Sequence, residues 1–112
     1  MIGAEPLRRG IRMMVLTQEE IRELIVPVVQ RHPVKRVVMF GSYARGTATA
    51  ESDLDIMIDS ENMLGGFDYF GIVGTLVKKF PISIDILEAS EIDKNSVFYR
   101  NIQRDGVVVY ES

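Results

Sequence analysis

No cysteine occurs in the 112 residues, so neither a disulfide framework nor a cysteine-based zinc site can exist. That absence suits a reducing cytoplasm, which is the expected location. No apolar run approaches the ~20 residues that a membrane-spanning helix needs. The N-terminus lacks the apolar stretch and small-residue cleavage site of a secretory signal. Histidine is nearly absent as well. The one copy, His32, stands beside Pro33 at a helix end, where a surface role is expected and catalysis is not. An excess of basic charge is also missing: 13 Lys and Arg against 16 Asp and Glu give a net charge of −3. A dedicated nucleic-acid binder shows a basic face. The mixed, slightly acidic balance points away from that class, without excluding an enzyme that touches a nucleic-acid end.

What remains is an ordinary globular composition, 46% hydrophobic and 26% charged, in a length that suits one domain. Residues 1–16 read as a flexible leader carrying Arg8, Arg9 and Arg12, with Met13 and Met14 as alternative starts. A single domain is expected over 17–112. Thr17 and Glu20 form a capping box that opens a helix to Arg31, with Ile21, Leu24, Ile25, Val28 and Val29 at helical spacing. Pro27 should kink it or remove a hydrogen bond, and Pro33 ends it. Strands are predicted at Arg36–Phe40, Leu54–Ile58, Ile82–Leu87 and Val107–Tyr110. A helical turn is expected at Tyr43–Arg45, and helices at Phe67–Phe80 and Asn95–Arg104. In the Phe67–Phe80 helix, Phe70, Val73, Leu76, Val77 and Phe80 are expected to face the core. Phe67, Tyr69, Phe70 and Phe80 read as core and rim, not as a base-stacking platform. Gly106 reads as the C-terminal stop of the last helix. The order predicts an α/β (α+β) fold, a small mixed sheet of about four strands with helices packed on one face.

The chemistry concentrates in Gly41 to Asp55, GSYARGTATAESDLD. Asp53 and Asp55 are two apart at a strand start, so both carboxylates leave the same face, with Cα atoms roughly 6–7 Å apart. Two like charges that close repel unless a cation lies between them, and hard oxygen ligands suit Mg²⁺ or Mn²⁺. Asp85 interrupts the apolar strand ISIDIL on the face opposite Ile82, Ile84 and Ile86. Either that face is solvated or Asp85 has a charged partner such as a metal. If the second and third strands are neighbours, three carboxylates meet, as a two-metal phosphoryl-transfer centre requires. Gly41 and Ser42 follow a strand directly, where glycine lets backbone approach a phosphate and the hydroxyl and turn N–H groups can donate to it. Alone, an Asp-x-Asp is a solvated strand end and a Gly-Ser is a plain turn. Together they specify much more. Asp59 shares the parity of Asp53 and Asp55 but is expected in solvent at the far strand end.

Gly41-Ser42, ten intervening residues, then Asp53-Leu54-Asp55 resembles the signature of the DNA polymerase β-like nucleotidyltransferase superfamily. The fuller text resembles its minimal nucleotidyltransferase (MNT) branch, over roughly Val34 to Leu87. The resemblance implies a polymerase β-like palm. It implies that Asp53 and Asp55 bind two Mg²⁺ ions (Mn²⁺ as the alternative), and that Asp85 ligates the catalytic ion and helps deprotonate the acceptor. It also implies that Gly41 and Ser42 hold the triphosphate of ATP, with Arg45 on phosphate or pairing with an acid.

Larger members of the superfamily carry a second domain that grips the acceptor, and the core leaves no room for one here. The resemblance therefore implies an acceptor on another molecule, a HEPN-family protein whose tyrosine receives AMP, with this chain as the antitoxin of the pair. Two alternatives stand beside it. One is a non-catalytic nucleotide-binding module that neutralises its partner by stoichiometric binding. The other is a nucleotidyltransferase acting on RNA or a small molecule.

Overall fold

The computed structural model describes residues 15–112. The leader expected over 1–16 falls outside them as far as Met14. Leu16, within the expected leader, packs in the core. The elements run α1 (Gln18–Val29), β1 (Arg36–Phe40), α2 (Gly41–Arg45), β2 (Leu54–Asp59), α3 (Gly66–Lys79), β3 (Ile84–Glu88), a 3-10 turn (Ala89–Glu91), α4 (Val97–Asp105) and β4 (Val107–Glu111).

The capping box forms as expected. Glu20 N–H donates to Thr17 Oγ1 at 3.0 Å and Thr17 N–H donates to Glu20 Oε1 at 2.8 Å, satisfying two donors at the start of α1. Pro27 is carried inside the last turn without breaking the helix, which ends at Val29. Ile21, Ile25 and Val29 form the buried face. Arg22 Nε donates to Val109 O at 3.2 Å, tying α1 to the last strand.

The four strands form one mixed sheet in the order β3-β2-β1-β4. β1 pairs antiparallel with both β2 and β4, whereas β2 pairs parallel with β3. Alternation along β2 sends Leu54, Ile56 and Ile58 into the main core with α1 and α3. Met57 points the other way and packs with Val38, Ala89 and Ile102. The expectation of helices on one face is thus met by α1 and α3, but α4 lies across the opposite face, held by Ile102. Its N-cap Ser96 accepts from Tyr99 N–H at 3.0 Å.

Two details differ from the sequence reading. The inward face of α3 is Tyr69, Ile72, Leu76 and Phe80, while Phe70 and Val77 are exposed. This helix is apolar around most of its circumference, so periodicity alone does not fix which stripe meets the sheet. Gly106 ends α4 with φ −68, not in a left-handed turn. It is glycine for space: a Cβ there would run into the Ile102 carbonyl and Val38 Cγ1. Among the described residues no helix is long and apolar enough to cross a membrane.

Candidate active site

The site lies where β1 ends and β2 and β3 begin. β1 leads straight into α2 through Gly41, whose φ of +73 turns the chain sharply. A side chain is excluded there twice over. The left-handed backbone disfavours a Cβ, and that Cβ would collide with Asp55 Oδ2. The backbone of Gly41 is therefore pressed against the carboxylate of β2. Ser42 is half-buried beside it, and its carbonyl accepts from Thr47 N–H at 3.0 Å.

The polar loop before β2 is shaped by its own hydroxyls. Thr49 N–H donates to Ser52 Oγ at 2.8 Å, Ser52 N–H to Thr49 O at 3.0 Å, and Glu51 N–H to Thr49 Oγ1 at 3.3 Å. The small and polar residues of that loop thus build a fixed turn that delivers Asp53 to the strand start. β3 then supplies the third acid. Its parallel register sets Asp55 opposite Asp85, and Leu54 opposite Ile84. The two carboxylates leave the same face of adjacent strands, about 4.8 Å apart between strands.

Among the described residues no ion pair involves Asp53, Asp55 or Asp85. Burial, then the charge of Asp85, then that of Asp53, push the Asp55 carboxyl above its ordinary range; a hydrogen bond with Asp85 adds to this and Arg45 opposes it weakly. Asp53 and Asp85 are exposed at the site's rim. On its face Asp85 is solvated, so its place in an apolar strand needs no buried partner. The three acids are neighbours but not a closed cage: among the described residues no three acidic, histidine or cysteine side chains have metal-holding geometry. The donor chemistry nonetheless fits a divalent ion. Hard carboxylate oxygens crowd together, and their mutual repulsion is what a cation would relieve.

Arg45, on the last turn of α2, faces a cavity of about 240 Å³ that also holds Gly41 and Asp55. The opposite wall is the face of α4 formed by Phe98, Asn101 and Asp105. Sequence reading passed over these three residues. Their helical spacing marks one face, but only the fold carries that face to the carboxylates. Phe98 also meets Phe40 edge-on, with centroids 5.6 Å apart. Asp59, as expected, stands apart from the site. It is not free in solvent, however, since Arg36 Nη1 lies 3.4 Å from its Oδ2. His32 is likewise remote, in the turn after α1.

A family model described as Nucleotidyltransferase domain matches residues 21–109. Protein adenylyltransferase MntA of Aphanizomenon flos-aquae (strain 2012/KM1/D3) is 35% identical over 106 residues, spanning 85% of this chain and 69% of that protein. The crystal structure of a toxin-antitoxin with AMP-PNP superposes with a TM-score of 0.67 at 17% identity, over 81% of this chain and 73% of that one. The complex of tri-AMPylated Shewanella oneidensis HEPN toxin with MNT antitoxin superposes with a TM-score of 0.63 at 14% identity, over 86% and 74%. At such identities the likeness to both structures establishes a shared fold.

Proposed function

The chain belongs to the nucleotidyltransferase domain family, and from that premise we propose that it is a minimal protein adenylyltransferase, the antitoxin of a toxin–antitoxin pair. It moves AMP from ATP to a tyrosine hydroxyl of a separate HEPN-family protein. The observation that carries the reading is the register of Asp55 with Asp85 at the strand end where Gly41 is pressed on Asp55. The names of the relatives supply the direction: one is called a protein adenylyltransferase, and one neighbour is a complex of an AMPylated HEPN toxin with an MNT antitoxin. The reaction belongs in the cytoplasm, where nucleoside triphosphates are made.

Asp53, Asp55 and Asp85 would hold the divalent metal, Mg²⁺ as two ions or Mn²⁺ in its place. When bound, it supplies charge neutralisation on the triphosphate and a more acidic acceptor hydroxyl. The Gly41 backbone and the Ser42 hydroxyl donate to phosphate oxygens, and Arg45 adds a cation from the end of α2. The acceptor oxygen attacks the α-phosphorus, and the bond from that phosphorus to the bridging oxygen breaks. Pyrophosphate leaves with those electrons, and the tyrosine proton passes to Asp85. Most of the work is positioning and electrostatics, as in other phosphoryl-type transfers.

The test is transfer of label from ATP, carrying label on the α-phosphate, to the cognate HEPN protein. Label on a tyrosine of that protein, lost in excess chelator, is the expected result. Label on RNA alone would reassign the acceptor. Tight binding of the HEPN protein with no transfer would leave stoichiometric neutralisation as the better account.

A further inference from the structure

Away from the carboxylates lies a second, larger concavity of about 550 Å³, between the N-terminal half of α3 and β3. Among the described residues β3 is an edge strand, paired only with β2. The groove floor is apolar, with Leu64, Phe70 and Ile86 among its residues, and Glu88 and Glu91 stand on its rim. Phe70 is 71% exposed, and Phe67, one turn earlier on α3, is 98% exposed. A phenylalanine that open costs hydration with no return from the described residues, and contiguous exposed apolar surface of this kind marks interaction sites. The rim is uncompensated: among the described residues neither Glu88 nor Glu91 makes an ion pair. Glu88 is fixed in place, accepting from Ser60 Oγ at 3.1 Å and from Ser90 N–H at 2.8 Å. The negative field reaches the Tyr69 phenol in the groove, which burial first, and then Glu88 and Glu91, push above its ordinary pKa.

We infer that this groove docks a basic amphipathic segment of the acceptor protein, with apolar side chains on Phe70 and Ile86 and lysines or arginines on the glutamate rim. The inference rests on the adenylyltransferase reading above and adds where the acceptor is gripped. Charge complementarity selects the occupant, because a second copy docked groove to groove would set Glu88 and Glu91 against their own counterparts. Continuity with the reaction supports it. Glu88 follows Asp85 by three residues on the same edge strand, about 10 Å along it. The two side chains leave opposite faces of the strand, so an acceptor held at the groove reaches Asp85 around the β3 edge, which no described strand covers.

The test uses the full chain with its cognate HEPN protein and compares wild type with Phe70→Ser and Glu91→Lys. Both side chains are exposed, so melting temperatures should match wild type. The expected result is a partner Kd weakened at least about tenfold. The KM for the partner should rise while kcat and ATP affinity stay as in wild type. Binding of the wild type should weaken with salt, and Glu91→Lys should flatten that dependence. Partner affinity and KM unchanged in both variants, with wild-type AMP transfer intact, would overturn the docking site and leave the enzymatic reading standing. Docking that weakens in the variants, with no transfer by any of the proteins, would do the reverse. If wild type alone is a dimer by light scattering and Phe70→Ser is a monomer, the face belongs to a second copy and the inference fails.

Discussion

The two ends of β2 carry the same residue on the same face to opposite ends. Asp55 and Asp59 are four residues apart, about 13 Å along the strand. Asp59 is answered by Arg36, whose guanidinium reaches Asp59 at 3.4 Å and Glu111 at 3.2 Å, joining β1, β2 and β4. Its other oxygen accepts from Glu61 N–H at 3.0 Å, closing the turn beyond the strand. Asp55 has Asp85 beside it on β3 and Asp53 two residues back along its own chain segment, and only the weaker influence of Arg45 opposes them. A strand position does not make a carboxylate structural or catalytic. The charge of what the neighbouring strands set beside it does.

Exchanging the amide for the acid at each end should separate the two roles most sharply. Asp55→Asn keeps the shape and removes the charge that would hold metal, so transfer should fall by about a thousandfold or more, ~4 kcal/mol in the barrier. Asp59→Asn should leave transfer near wild type and cost at most about 1 kcal/mol of stability, since its ion pair is partly exposed. Single-turnover transfer and thermal melts on both variants make the comparison. Equal activity of the two variants would erase the distinction.

The next largest effect belongs to Gly41, which has no counterpart at the Asp59 end. Gly41→Ala places a Cβ on Asp55 Oδ2 in a left-handed backbone. We expect about 1–2 kcal/mol of lost stability and a loss of transfer larger than that stability change explains, because Asp55 is displaced. Full activity with only the stability loss would show that the contact with Asp55 is incidental. Ser42→Ala should act more mildly, on nucleotide alone. Losing one hydrogen bond to a charged acceptor costs about 1.5–3 kcal/mol, which is roughly ten- to a hundred-fold in affinity by calorimetry. An unchanged affinity would remove Ser42 from the site.

The smallest effect is on the metal-free protein. Asp55 holds its proton more tightly folded than unfolded, because its folded pKa is raised. Its contribution to stability is therefore fully present below the ordinary carboxylate range and is lost as pH rises through the raised value. The melting temperature of Asp55→Asn should thus exceed that of the metal-free wild type at neutral pH, and the two should converge in acid. Added Mg²⁺ should narrow the gap by stabilising the wild type. A gap that is unchanged between neutral pH and acid would mean that the charged Asp55 costs the fold nothing, either by burial or by repulsion from Asp85 and Asp53.

Much of this site was legible before any coordinates. The parity of Asp53 and Asp55, the glycine at the strand exit and the capping box at Thr17 depend on residues within a few positions of each other. Their geometry follows from the two-residue period of a strand, the four-residue reach of a helix turn and the steric freedom of glycine. The adjacency of Asp85 to Asp55 was conditional on sheet order, which no local pattern encodes. The 24 residues from Ser60 to Ser83 return β3 beside β2 in parallel only because the long-range core around Ile56, Ile72 and Ile86 favours it. The same holds for the outward face of α3, the α4 wall and the Arg36 clasp on Asp59. Each is a choice among several apolar stripes or charged partners that the chain offers equally well. The sequence by itself determined which residues are the candidates for the chemistry and how each is presented locally. Only the tertiary structure decided which strands and helices meet, because that choice is made by contacts between distant segments and has no signature within either one.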